Sequence, residues 1–177
     1  MAGRNKPEKD PFSTGLAMLS RRAYSVAELR RKLEAKFKDD PRIETAITRL
    51  RELKFLDDQR FAERTAASLA RNRLYGPHRA RRELKASLVN YRYIEPALEQ
   101  AYAETPARQL LKQALEKKLR TLRLPLTRPR FYSLCQSLMR MGFASDDIMN
   151  AVRSRPELKP VADELEPADL EEIVNSE

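Results

Sequence analysis

The chain has 177 residues, enough for one medium domain or a few small modules around a buried core. It carries 35 Lys and Arg against 26 Asp and Glu, a net charge of +9 that favours an extended anionic partner. Four scattered glycines build no phosphate-cradling loop, and a single His with a single Cys supplies neither a zinc site nor an internal disulfide.

Residues 1–13 are expected to be disordered. Beyond them, apolar residues recur at steps of three and four almost throughout, which predicts helix. Val26, Leu29, Leu33 and Phe37 form the first stripe, opened by a capping box in which Ser25 accepts from the Glu28 amide and Glu28 reaches back to Ser25. Ile43, Ile47, Leu50 and Leu53 follow. Asp57 or Asp58 then caps a helix carrying Phe61, Thr65 and Leu69. Gly76-Pro77 interrupts, and Ala80, Leu84 and Leu88 begin another stripe, followed by Ile94, Ala97, Leu98 and Ala101. Thr105-Pro106 starts a helix with Leu110, Leu111, Ala114, Leu115, Leu119 and Leu122. Phe131, Leu134, Leu138 and Met141 come next, stopped by Gly142 in the left-handed position after a helix. Ser145 caps the last stripe, Ile148, Met149 and Val152.

No period-two run with turn glycines interrupts this pattern, so the fold class is all-α. Glu28-Leu29 with Leu33 matches Glu83-Leu84 with Leu88, 55 residues on, and Ser133-Leu134 with Leu138 matches 50 residues later. The expectation is an elongated tandem array of three three-helix units at 14–56, 57–103 and 105–153. Residues 154–177 hold eight acids and two bases, a net of −6, and read as an acidic, disordered tail or as an internal competitor for the basic face.

The remaining charge is then +15 and clusters: seven bases against two acids in 20–38, six against one in 71–85, eight against one in 108–130. That clustering favours an anion-binding surface over an evenly solvated one. On a helical wheel centred on Leu29, Arg31 and Lys38 point outward with Arg30 flanking. Centred on Leu84, Arg79 and Arg82 point outward with Arg81 and Lys85 flanking. The third unit presents Tyr132, Gln136 and Met139 instead. Units one and two are therefore expected to carry the contact, with Arg21 and Arg22 adding to it.

Asp39-Asp40, Asp57-Asp58 and Asp146-Asp147 each stand at a helix start, where a carboxylate satisfies free N–H groups. They are read as caps, not as metal ligands. His78 reads as solvated or phosphate-facing, Tyr75 as buried between units or stacking on a partner, and Cys135 as packing. No cofactor is expected. The first ten residues lack a signal-peptide core, no window approaches the ~20 apolar residues of a membrane span, and an unpaired Cys suits a reducing interior. A soluble, cytoplasmic, monomeric protein is the expectation.

At this point a resemblance enters. Arg21-Arg22-Ala23-Tyr24-Ser25-Val26-Ala27-Glu28-Leu29 resembles the R-x-x-S-x-x-E-L signature of the RecX recombination regulators. Leu56-Asp57-Asp58-Gln59-Arg60-Phe61-Ala62 is similar to that family's L-D-D-x-R-F-A element. Tyr75-Gly76-Pro77-His78-Arg79-Ala80-Arg81-Arg82-Glu83-Leu84 is similar to its Y-G-P-x-R-x-x-x-E-L element. Lys54 and Asn90 stand where glycines are expected. The resemblance covers residues 14–103 best. It implies a non-enzymatic protein that binds the RecA–DNA filament, contacts single- and double-stranded DNA, and inhibits filament growth, ATP turnover and strand exchange in DNA repair and the SOS response. It also implies structural roles for Asp58 and Arg60 in joining units one and two. The competing class is a helical regulator on bare duplex, which would want one recognition helix with Asn, Gln or Arg at its front. The dispersed Lys and Arg suit phosphate contacts instead.

Overall fold

The computed structural model describes residues 10–38 and 40–164. Among these residues are ten helices and no strand: α1 (Pro11–Leu19), α2 (Val26–Phe37), α3 (Arg42–Glu52), α4 (Asp58–Arg71), α5 (Pro77–Ala86), α6 (Tyr91–Glu104), α7 (Ala107–Leu119), α8 (Arg128–Arg140), α9 (Ser145–Arg153) and α10 (Lys159–Ala162). The first nine group in threes around separate cores. Leu29, Leu33, Ile43, Ile47 and Leu50 fill the first, and Ala62, Ala66, Leu84, Ile94 and Leu98 the second. The third gathers Leu111, Leu115, Phe131, Leu138, Ile148 and Val152. The fold is the tandem helical array that the sequence predicts.

Its true register is 51 residues. Ser25, Gly76 and Thr127 are the N-caps of the three middle helices, each 51 positions after the last. The buried residues follow: Leu33, Leu84 and Cys135 in the middle helices, then Ile47, Leu98 and Met149, then Leu50, Ala101 and Val152 in the third helices. The 55- and 50-residue matches read from Glu-Leu letters are therefore shifted. Glu28 lies in the first turn of α2, whereas Glu83 lies toward the end of α5. Burial fixes register because a core position cannot move without opening a cavity, whereas surface letters recur freely.

Both ends are ordered further than expected. Asp10 caps α1 by accepting from the Phe12 and Ser13 amides at 2.9 and 3.1 Å, and Pro11 supplies the first helical φ. Unit one thus begins at Pro11, not at residue 14. Gly15 lets α1 settle on its neighbours, since a Cβ there would meet Leu50 Cδ1 at 3.0 Å. At the other end, Leu158 and Ala162 are fully buried in the third core. Arg155 pairs with Glu116 at 2.8 Å, and Glu164 approaches Arg128 at 3.3 Å. The acidic segment is therefore packed from 154 to 162, because it carries two apolar side chains that complete unit three. Residues 165–177, Asp39 and residues 1–9 lie outside the described residues.

Three stripe assignments change. α4 buries Ala62, Ala66 and Ala70, leaving Phe61, Thr65 and Leu69 half-buried. Alanines on that face bring α4 close against α6. Leu53 and Leu88 fall past their helices and are exposed. Lys54 does occupy a left-handed position, φ 60°, where glycine is favoured, but Asn90 does not: Leu88 takes that turn at φ 56°, and Asn90 caps α6 from the extended region.

One contact joins the units. The N-cap of each of the first two middle helices donates to the carbonyl of the C-cap residue of the next unit's middle helix. Ser25 Oγ donates to the Ser87 oxygen at 2.6 Å, and the Gly76 amide donates to the Met141 oxygen at 2.8 Å. The partly positive start of one helix meets the partly negative end of another. At the first joint Asp58 also accepts from the Val26 amide at 2.8 Å. At the second, the His78 amide reaches the Gly142 oxygen at 3.3 Å.

Candidate nucleic-acid interface

The nine basic residues singled out by the sequence divide into two groups. Four have internal partners. Arg22 forms a two-pronged pair with Glu28, at 2.5 and 3.2 Å, and lies 3.7 Å over the Tyr24 ring. This engages the Glu28 carboxylate with Arg22, while the Ser25 half of the capping box forms as expected, at 3.0 Å. Arg30 pairs with Glu44 at 2.7 and 3.0 Å. Its counterpart 51 residues on, Arg81, pairs with Glu95 at 2.6 Å through both nitrogens. The Arg81 guanidinium holds the Glu95 carboxyl below its ordinary range. Arg79 lies 4.1 Å over the Tyr75 ring and donates to the Arg140 carbonyl at 3.1 Å and to Glu83 at 3.2 Å. Arg79 is thus a joint residue between units two and three, not a free outward cation.

The other five are Arg21, Arg31, Lys38, Arg82 and Lys85. All are exposed, and their side chains make no hydrogen bond or ion pair among the described residues. Arg31 and Arg82 occupy the same place in α2 and α5. Their counterpart in α8 is Ser133, and the counterpart of Lys85 is Gln136. At the Arg31 and Arg82 position the middle helix is therefore cationic in units one and two and uncharged in unit three, while α8 carries its own exposed cations, Arg128, Arg130 and Arg140, at other positions.

The motif residues sit on the joints. Asp57 caps α4, accepting from the Arg60 amide at 3.0 Å, while Asp58 reaches across to α2. Arg60 itself is exposed and makes no side-chain hydrogen bond or ion pair across the joint among the described residues, and Phe61 is half-buried. Gly76 and Gly142 meet backbone to backbone: a Cβ on Gly76 would strike the Gly142 carbonyl, and one on Gly142 would strike Arg79. Pro77 supplies the first residue of α5, and Leu29 and Leu84 are fully buried. Asp146 and Asp147 lie in the first turn of α9, and Asp40 holds Arg42. No metal-competent cluster occurs among the described residues. Tyr75 is half-buried, its carbonyl accepting from Tyr102 Oη at 2.7 Å. His78 is exposed, and Cys135 is buried. No helix among the described residues is long and apolar enough to cross a membrane.

These features define a class: a tandem three-helix repeat with interlocked joints and cation-bearing middle helices. Comparison with known proteins makes the class specific. Residues 12–50 match the first three-helix domain of RecX, and residues 57–98 the second. The chain is 31% identical to the regulatory protein RecX of Vibrio parahaemolyticus over 84% of its own length and 94% of that protein's. It is 38% identical to RecX of Chlorobaculum tepidum, where the match spans 64% of that relative's length. It is 43% identical to RecX of Syntrophotalea carbinolica, spanning 47% of it. The crystal structure of RecX from Lactobacillus salivarius superposes with a TM-score of 0.67 at 21% identity, over 81% of this chain and 93% of that one, and so shares the fold. The chain belongs to the RecX family of regulatory proteins.

Proposed function

We propose that the protein binds the RecA recombinase–DNA filament and inhibits its growth, ATP turnover and strand exchange, acting as a monomer without cofactor or catalytic residue. The observation that carries this reading is the pair of equivalent, unpaired cations Arg31 and Arg82, joined by Lys38 and Lys85, on a family member whose third unit has Ser133 in the Arg31 and Arg82 position. A tandem array offers a long face, and dispersed cations without internal partners suit a repeating line of phosphates. Residues 165–177 carry five acids and no base, so in this reading they weaken that contact by repulsion.

The test is recombinase ATP turnover on single-stranded DNA against rising protein concentration. The parent is expected to inhibit, and Arg31→Ala/Arg82→Ala/Lys85→Ala to require a higher concentration. Undiminished potency of the folded triple variant places the contact elsewhere. Preference for sequence-specific bare duplex over recombinase-coated DNA replaces this reading with that of a duplex-binding regulator.

A further inference from the structure

The joint between units one and two opens, beside α4, into a groove of about 460 Å³ lined by Tyr24, Lys54, Phe55, Asp57, Arg60, Phe61, Arg64, Ser68, Leu69 and Arg73 among others. Its four cations are all exposed, and none makes a side-chain hydrogen bond or ion pair among the described residues. The carboxylate in the lining, Asp57, accepts from the Arg60 amide at 3.0 Å. Arg60 and Arg64 stand one turn apart along α4, about 6 Å of rise.

Phe55 gives the groove its character. α3 ends in a paired turn in which the Lys54 amide donates to the Arg51 oxygen at 2.9 Å and the Phe55 amide to the Leu50 oxygen at 2.9 Å. The residue in the Phe55 place of such a turn ordinarily packs back on its helix. α5 and α8 end the same way, and there the corresponding Val89 and Phe143 are buried, at 7% and 4% exposure. Phe55 is 53% exposed, and Leu56 fills the core instead. The fold thus leaves about half of this ring uncovered, standing among cations.

We propose that this groove binds single-stranded nucleic acid, with Phe55 stacking on an unpaired base and Lys54, Arg60, Arg64 and Arg73 taking the adjoining phosphates. The assignment rests on the nucleic-acid reading above and names a second surface for it. A ring beside unpaired guanidinium groups matches what strand binding requires: a π-face that any base accepts and a charged path for the backbone. A base paired in duplex has no free face to offer the ring. At the second joint Thr105, Pro106, Leu111 and Leu115 stand 51 residues after Lys54, Phe55, Arg60 and Arg64, so neither the ring nor these cations recur there.

The sequence contains no tryptophan, so Phe55→Trp makes the groove its own reporter. Oligo-dT is expected to quench that emission, saturating where the anisotropy of dye-labelled oligo-dT saturates. Phe55→Leu should weaken oligo-dT binding about 5-fold or more, the low end of base–aromatic stacking. Arg60→Ala/Arg64→Ala should flatten the log–log salt slope by roughly 1.4, about 0.7 per lost single-strand contact. Binding without quenching, or unchanged affinity in Phe55→Leu, overturns the assignment. So does quenching by poly-glutamate but not by oligo-dT, which makes this a face for an acidic protein. If the parent inhibits recombinase turnover while oligo-dT leaves the Phe55→Trp emission unchanged, the groove falls and the proposed function stands. If oligo-dT quenches but the parent does not inhibit, the reverse holds.

Discussion

At both joints the start of one middle helix meets the end of the next, Ser25 on Ser87 and Gly76 on Met141. What surrounds that contact differs. The first joint is closed by side chains, the Ser25 hydroxyl and the Asp58 carboxylate, and leaves room for a basic groove beside it. The second is closed chiefly by backbone, with Gly76 and Gly142 so near that neither has space for a Cβ, and the Arg79 side chain adds a bond to the Arg140 carbonyl. A side-chain joint tolerates sequence change and keeps surface open. A glycine joint gives a close-set seam that admits no side chain at either glycine. The equivalent free cations Arg31 and Arg82 lie in the two units of the open joint, where unit three has Ser133.

Substitution at the glycine joint should give the largest effect. Gly142→Ala adds a clash with Arg79 to a φ of 90°, and should cost about 3 kcal/mol or more from strain and overpacking together. Thermal unfolding followed by circular dichroism checks this, and a stable Gly142→Ala protein contradicts the tight seam.

Next comes the end of unit three. Leu158→Ala should lose about 2–4 kcal/mol as a core truncation. Deletion of 165–177 should spare stability and strengthen DNA binding by removing five acids. Cutting at 153 instead should destabilise unit three, as limited proteolysis would reveal.

The side-chain joint should give smaller losses. Asp58→Ala leaves the Val26 amide without its partner and should cost about 1 kcal/mol, measurable by urea denaturation. Ser25→Ala removes a cap and a cross-joint bond from a fully buried hydroxyl, so it should exceed Asp58→Ala.

The smallest effects are expected at the paired surface cations. Arg81 lowers the Glu95 carboxyl, so that pair's contribution is complete above the ordinary carboxylate value, 4.5, and fades as pH falls through the lower folded value. Glu95→Gln should remove this acid-side dependence, with little change near neutrality because the pair is exposed. In the third core, burial pushes the Cys135 thiol up to about 12. It should resist thiol reagents at pH 8 until unit three opens, and prompt labelling of the folded protein would contradict its burial.

Much of the fold was legible because core residues obey helix periodicity: Leu29, Leu33, Leu84, Ile94, Leu111 and Phe131 all lie where the stripes place them. The left-handed Gly142 and the Asp57 cap are local chemistry and read equally well. Asp10-Pro11 is the same kind of signal and marks a helix start that the sequence reading passed over. Register was less legible, because Glu-Leu pairs on a charged surface repeat without structural equivalence. Pairing was not legible at all. Arg30 finds Glu44, and Arg81 finds Glu95, on a neighbouring helix 14 residues away, so helical wheels could not separate held cations from free ones. Phe55 escaped notice for a related reason: its exposure follows from Leu56 taking the core position, which only packing decides.

The central claim is that the free cations of units one and two, and not their unit-three counterparts, hold the DNA-bearing filament. The most direct measurement is the salt dependence of filament binding by the parent, by Arg31→Ala/Arg82→Ala/Lys85→Ala, and by Ser133→Ala/Gln136→Ala. The log–log slope should flatten by roughly 2–2.7 for the first variant, about 0.7–0.9 per lost phosphate contact, and stay unchanged for the second. Equal slopes for all three folded proteins would contradict the account.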